Sequence, residues 1–315
     1  MKALIYKSFG KPEVLEWVDN WGKPTVLPNQ VLVKVKAGSV NPKDILLRKG
    51  KFSKTMARDP LPRVSGMDVS GEVVEVGENT TTFKKGDLVF AMTNHFAGGV
   101  HSEYALFEPG ELAIAPANIS LVNAGSVPLS ALTALQALRD HGKVGRGAKV
   151  LINGASGGVG HFAVQIAKIM DAEVHAVCGA AHIDFVKSLG ADKVYDYAQT
   201  PAPEINYTFD SVFDVFGKYS RKNFSEQLGL KGFYVSTVPK VATLIGAFLA
   251  WTGIDKRAKL VMVESLHDDL NTICKWIESD KLKPHVDKVY NITEAQAAHR
   301  HIEGKHTTGK IVLEF

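Results

Sequence analysis

Apolar residues recur along this chain in two textures. Over residues 1–123 they fall in short runs, at 2–7, 31–37, 69–76, 87–91 and 102–107. These runs are rich in β-branched and aromatic side chains, and Gly, Pro, Asn and Asp separate them. Such runs predict strands, and helical spacing is scarce there, so a compact β-rich, barrel-like domain is expected. From residue 124 the spacing changes. Residues 124–141 read as a helix with Pro128 near its start. Strands at 149–153, 173–178, 193–195, 211–215 and 233–237 then alternate with helices at 159–170, 183–189 and 222–228. That alternation predicts a doubly wound parallel sheet, which takes its ligand at the carboxyl ends of the strands. A strand at 259–263, an amphipathic helix at 268–279 and strands at 286–290 and 310–314 close the chain. The tail is expected to return to the first domain. The expected organisation is α/β, with one domain from residues 1–123 and 281–315 and a nucleotide-binding domain from 124–280.

Composition narrows the function classes. The 315 residues suit two domains of ordinary size, and 45% hydrophobic with 22% charged residues is ordinary for a soluble globular chain. A net charge of +4 without an arginine stripe gives no nucleic-acid footprint. Two cysteines, Cys178 and Cys274, make neither a disulfide framework nor a four-cysteine zinc lobe, which favours a reducing compartment. Residues 1–6 read as a strand rather than a targeting segment, so a cytoplasmic location is expected. The apolar run 241–251 is too short to span a bilayer. It is expected to be a core helix, a pocket wall or a subunit contact, with a peripheral membrane contact as the other use.

One stretch carries chemistry. In Asn153-Gly154-Ala155-Ser156-Gly157-Gly158-Val159-Gly160 a buried strand meets a glycine turn and then a helix. Such a turn lets the backbone approach a pyrophosphate, and the helix start supplies N–H groups and the positive end of its dipole. The spacing is G-x-x-G-x-x-G, and the flanking strand and helix strengthen it. The second strand ends Val177-Cys178-Gly179-Ala180-Ala181-His182, with no carboxylate where an NAD site places one for the ribose 2′-hydroxyl. A 2′-phosphate would meet no repulsion there. Phe216, Gly217, Thr237 and Val238 follow the next strands and are expected to face the cofactor. His95 and His101 share one loop without a cysteine or acid at ligand spacing, and read as loop histidines.

Ser39-Val-Asn-Pro-Lys-Asp44, Gly66-Met-Asp-Val-Ser-Gly-Glu-Val73, Phe83-Lys-Lys-Gly-Asp-Leu-Val89, Leu132-Thr-Ala-Leu135, the glycine turn and Phe185-Val-Lys-Ser-Leu-Gly-Ala-Asp192 together resemble the zinc-independent quinone oxidoreductase group of the medium-chain dehydrogenase/reductase superfamily. Gly98-Gly99 before Tyr104 and Cys178-Gly179 before Phe185 resemble most closely the plant-type alkenal/one oxidoreductases and chloroplast-envelope quinone oxidoreductase homologues. The resemblance implies a GroES-like domain, a Rossmann domain, NADPH as reductant, and quinones or α,β-unsaturated carbonyls as small-molecule substrates. It implies a homodimer, and the shortness of the run 241–251 gives the expectation of no integral membrane segment. It also implies that Asn41 faces the nicotinamide, that Thr133 and Pro128 shape its pocket, and that His182 and Tyr197 bond the 2′-phosphate. Zinc-dependent relatives carry a cysteine at Asn41 and Gly-His-Glu at Gly66-Met67-Asp68, so no metal is expected here. Two departures stand out. Relatives often have arginine at Ala181, so NADPH discrimination is expected to be smaller. A lysine that reaches the cofactor phosphate in relatives is Leu46 here, leaving Lys43 or Arg48 for that role. The alternative is a nucleotide-binding protein with weak turnover, acting as redox sensor or interaction partner.

Overall fold

The computed structural model describes residues 1–238, 257–305 and 307–315. The apolar run 241–251 lies outside the described residues. The chain divides into two compact units: Met1–Leu129 with Glu264–Asp280 and Pro284–Phe315, and Ser130–Val263 with Lys281–Lys283.

In the first unit β1 (Ala3–Tyr6) pairs antiparallel with β2 (Leu15–Val18) and β4 (Arg63–Val64). A larger sheet is built on β3 (Val31–Val40), which pairs antiparallel with β5 (Asp68–Val76) and β7 (Tyr104–Phe107). Beyond β5 lie β6 (Leu88–Met92) and β8 (Leu112–Ile114). Alternate β3 residues Val31, Val33 and Val35 enter one core with Val69, Val73, Val89 and Phe107, as period-two patterning requires. After β3, Pro42 opens helix α1 (Pro42–Arg48), and Asp44 Oδ2 accepts the Asn41 N–H at 2.8 Å, closing its first turn. Helix α2 (Leu121–Ala124) precedes α3 (Pro128–Gln136), which runs into a π-helical turn at Ala137–His141.

The second unit is a six-stranded parallel sheet. Its strands are β9 (Lys149–Asn153), β10 (Glu173–Cys178), β11 (Lys193–Asp196), β12 (Phe209–Asp214), β13 (Leu228–Ser236) and β14 (Ala258–Leu260). They lie in the order β11-β10-β9-β12-β13-β14. Strand order reverses between β9 and β12, so the glycine turn after β9 sits at the switch point. Helices α4 (Gly160–Ile169) and α5 (Ile183–Ser188) supply the crossovers after β9 and β10. The helix expected at 222–228 is not formed. Only a short 3-10 turn, Arg221–Phe224, precedes β13, which begins at Leu228 paired with Phe209. Phe224 and Leu228 have helical spacing, but each reaches the same core from a turn and a strand.

The chain then supplies α6 (His267–Glu278), β15 (Val286–Asn291), α7 (Ala295–Glu303) and β16 (Lys310–Glu314). Strand β16 pairs with β3 antiparallel and with β15 parallel. Helix α6 was grouped with the nucleotide half in the sequence reading. Both of its ends are tied instead to the first unit: at the start His267 Nδ1 lies 2.7 Å from Leu112 O, and near the end Asn118 Nδ2 donates to Ile277 O at 2.9 Å.

Candidate functional site

At the carboxyl edge of the parallel sheet, the Gly154 and Ala155 N–H groups both donate to Val177 O at 3.0 Å, folding the turn back onto β10. Gly160 is demanded by contact. A Cβ there would lie 2.1 Å from Gly154 O, so no side chain allows the helix to start this close to the turn. A Cβ on Gly157 would meet nothing nearer than 3.5 Å, so that face of the turn is open. Helix α4 has no side-chain cap on its first turn, around Gly157, Gly158 and Val159. This donor set fits a pyrophosphate. Beneath it the buried Asp214 carboxylate accepts from Asn153 Nδ2 at 2.8 Å, the Gly217 N–H at 2.9 Å and the Tyr234 hydroxyl at 2.9 Å. That one side chain joins the ends of β9, β12 and β13.

Apart from Thr133, the other expected cofactor residues follow the carboxyl ends of β10, β11, β12 and β13. Gly179 leads into a 3-10 turn at Ala180–His182. The Tyr197 N–H donates to Cys178 O at 3.0 Å, and the Tyr197 ring stands over Gly179, with Cε1 3.3 Å from where a Cβ would be. Tyr197 is 58% exposed and Phe216 56%, so both large rings face outward beside the strand ends. Thr237 Oγ1 donates to Val215 O at 2.9 Å, and the Val238 N–H to Ser236 Oγ at 3.2 Å. Ser156 completes the glycine turn, and Thr133 is buried on α3. The sequence reading missed Asp196, which lies opposite Cys178 in the β10–β11 register. Its Oδ1 accepts the Ala198 N–H at 3.0 Å, which turns the carboxylate toward its own loop. Burial first, and the Asp196 charge second, push the Cys178 thiol up to about 11, so it stays protonated.

Asn41 belongs to the other unit, and its surroundings differ from the expectation. Its side chain is buried, and its Nδ2 donates to Ser39 O at 3.1 Å and Asp68 Oδ1 at 3.0 Å. Lys310 Nζ donates to its Oδ1 at 2.6 Å. Both amide hydrogens and the amide oxygen are therefore committed to buried protein partners. Spacing alone could not reveal this, because the partners come from β5 and β16. Asp68 Oδ1 also accepts the Ser39 hydroxyl at 2.7 Å, and Oδ2 accepts the Leu129 N–H at 3.2 Å. Burial raises the Asp68 and Asp44 carboxyls, Asp44 to about 7, and lowers the Lys310 ammonium against the opposing pull of both acids.

The two cations weighed for a phosphate role separate. Arg48 is fully buried and its Nη2 lies 2.5 Å from Glu303 Oε1, which removes it from that role. Lys43 is partly exposed with its Nζ 4.2 Å from the Phe96 ring centroid, and burial lowers its pKa to about 8. The histidine pair separates too. His95 is exposed, with Nε2 3.1 Å from Asp59 and Nδ1 2.9 Å from Gly98 O. His101, which also lies outside any strand or helix, is fully buried, and a Cβ on Gly66 (φ +99°) would lie 2.2 Å from its ring. Met67 is buried as well. Among the described residues no group of three His, Cys, Asp or Glu is placed to hold a metal. A cavity of about 280 Å³ in this unit is lined by Trp21, Tyr104, His95 and Gly98.

A barrel-like β unit and a parallel sheet with a glycine turn at its switch point are the architecture of two-domain oxidoreductases of the dinucleotide-binding kind. Comparison with known proteins makes this specific. Residues 27–117 match the alcohol dehydrogenase GroES-like domain and residues 189–313 the family described as zinc-binding dehydrogenase. The chain is 34% identical over 331 residues to the chloroplast envelope quinone oxidoreductase homolog of Arabidopsis thaliana, covering 100% of this chain and 98% of that one. It is 32% identical over 324 residues to the chloroplastic NADPH-dependent alkenal/one oxidoreductase of Arabidopsis thaliana, covering 99% and 79%. The solved quinone oxidoreductase of Coxiella burnetii superposes with a TM-score of 0.90 at 31% identity, covering 100% and 99%. The chain belongs to the quinone oxidoreductase family of the medium-chain dehydrogenase/reductase superfamily, with a GroES-like domain and a Rossmann domain. It is an oxidoreductase. Among the described residues no helix is long and apolar enough to cross a membrane.

Proposed function

We propose that this protein is an NADPH-dependent reductase of activated double bonds, acting on enones, enals or quinones without zinc. The observation that carries the cofactor choice is the end of β10. There the backbone Gly179–His182 and the exposed Tyr197 ring follow a strand that has no carboxylate at its carboxyl end. In this reading Gly154, Ala155, Ser156, Gly157, Gly158 and Val159 hold the pyrophosphate. Gly179, Ala180, Ala181, His182 and Tyr197 hold the phosphorylated ribose, while Phe216, Gly217, Thr237, Val238 and Thr133 flank the nicotinamide. Bound there, the reduced nicotinamide supplies the hydride. The relatives named for quinones and for alkenals support the substrate class.

Asn41 and Met67 replace the thiolate and imidazole of zinc-dependent relatives, and neither side chain suits a zinc ion. A conjugated carbonyl already makes its β-carbon electrophilic, so reduction of that bond needs no Lewis acid. The chain's own work is then to bind, orient and exclude water. Asn41 contributes through the shape of its turn, since its amide is committed to Asp68 and Lys310. Lys43 is the cation left at the Asn-Pro motif to meet a phosphate or a developing negative charge. Solvent delivers the proton to the α-carbon.

The test is turnover with product analysis. NADPH is mixed with methyl vinyl ketone, a 2-alkenal or a naphthoquinone; saturated carbonyl or hydroquinone is the expected product. Tight NADPH binding without oxidation across that panel would favour the sensor reading instead.

A further inference from the structure

The buried charges behind Asn41 do more than fill the first unit. Asp68 is fully buried at the start of β5 and accepts hydrogen bonds from two separate pieces of chain. One is the turn after β3, through the Ser39 hydroxyl at 2.7 Å and Asn41 Nδ2 at 3.0 Å. The other is the first turn of α3, through the Leu129 N–H at 3.2 Å. Helix α3 is where the chain leaves the first unit, at Leu129, and it carries Thr133 four residues on. Lys310, almost fully buried on β16, grips the same turn through Asn41 Oδ1 at 2.6 Å and is drawn electrostatically to Asp68 and Asp44. Asp44 Oδ2 in turn accepts the Asn41 N–H at 2.8 Å.

We propose that Asp68 and Lys310 are positioning residues that work as one clamp, locking the Asn41 turn and the start of α3 into a single arrangement. The proposal rests on the reductase reading for what the clamp serves: the Asn41 turn and the Thr133 helix are the two elements expected to border the reacting groups. The physical reason lies in burial. A carboxylate this deep is tolerable only if its lone pairs are filled and a cation neutralises it, so every donor it has is held in place. Loosening either the turn or the helix would leave Asp68 with an empty lone pair, and removing Lys310 would leave it an uncompensated charge. The two elements are thereby coupled through one side chain. The nucleotide seat, built from β9, α4 and β10, shares none of these bonds.

The experiment compares Lys310→Met, Asp68→Asn, Ser39→Ala and the double variant Asp68→Asn/Lys310→Met with the parent. Amide hydrogen exchange of the free protein is read first, because it does not depend on turnover. Lys310→Met and Asp68→Asn are expected to speed exchange at least tenfold in residues 39–48 and 129–136 together, with β9 and α4 unchanged. Turnover then separates kcat from cofactor affinity. In both single variants kcat is expected to fall at least tenfold while the NADPH Kd moves less than twofold. The double variant, which removes both charges, is expected to recover at least fivefold in kcat. Ser39→Ala, the mildest change, keeps the clamp readable if a charge variant fails to fold, and is expected to loosen both segments two- to threefold. The clamp is wrong if only one segment loosens, if neither does, or if kcat in the folded variants is unchanged. A parent that reduces no acceptor, but whose two segments loosen together, would overturn the reductase reading and leave the clamp standing.

Discussion

Lys310 Nζ donates to Asn41 Oδ1 at 2.6 Å, joining residues 269 positions apart in the sequence. The side chain that the family resemblance places beside the nicotinamide is thus a buried one with its amide bonded within its own unit. Asn41→Ala would strip a partner from both Lys310 and Asp68, and hydrogen bonds to buried charges are worth about 1.5–3 kcal/mol each. Urea denaturation is expected to show a loss of about 2–4 kcal/mol, with kcat lowered through the disordered turn and the NADPH Kd nearly unchanged. A variant as stable as the parent would mean that the amide is not buried in solution.

The glycine turn allows a sharp steric test. Gly160→Ala forces a methyl to within 2.1 Å of Gly154 O, a backbone atom that can move only if the turn moves. Overpacking of this kind costs about 1–3 kcal/mol. Thermal unfolding is expected to show that loss, and fluorescence titration a rise of at least tenfold in the NADPH Kd. Gly157→Ala, on the open face, is expected to keep its stability and weaken the cofactor alone.

Cofactor preference is expected to respond at the end of β10. Ala181→Arg places a planar cation beside His182 and Tyr197, and a bidentate partner for phosphate is what this turn lacks. The ratio of kcat/KM for NADPH over NADH is expected to rise roughly tenfold, an energy of about 1.4 kcal/mol. Ala180→Asp is expected to lower the same ratio by repelling the phosphate.

Acid stability is expected to carry the mark of buried histidines. Burial pushes His101 down to about 4 and His299 down to about 3, so both stay neutral in the folded chain. In the unfolded chain histidine titrates near 6.5. As pH falls below that value the unfolded state binds protons that the folded state refuses, so stability drops by about 1.4 kcal/mol per pH unit for each histidine. Asp44, raised to about 7, works in the opposite direction between about 4 and 7, since only the folded chain then holds its proton. Asp68 is raised as well. Both acids are present in parent and variant, so His299→Leu isolates one histidine. Between pH 6 and pH 4 the parent is expected to lose stability faster than this variant by roughly 1.4 kcal/mol per unit in urea titrations. Parallel curves would place His299 in contact with solvent.

Patterning made the parallel sheet legible because its strands carry short buried apolar runs, residues 150–152 in β9 the clearest, and its turn needs glycines. The bounds 149–153 and 173–178 read from the sequence coincide with β9 and β10. Helix α7 was missed because its buried positions are small, Ala295 and Ala298 among polar residues. The helix expected at 222–228 failed because Phe224 and Leu228 share a core without sharing an element. The glycine turn between β9 and α4 could be read as a contiguous motif. The surroundings of Asn41 could not, since Asp68 and Lys310 reach it only through β5 and β16. The burial of His101 was not legible for the same reason: only the fold brings Gly66 against its ring.

The central claim is a nicotinamide-dependent reduction of an activated double bond. Its most direct measurement is the product formed from methyl vinyl ketone and NADPH, with NADH run in parallel. The account predicts the saturated ketone in amounts equal to the NADPH consumed, and a higher kcat/KM with NADPH. An allylic alcohol as product, a clear preference for NADH, or cofactor bound without any ketone formed would contradict it.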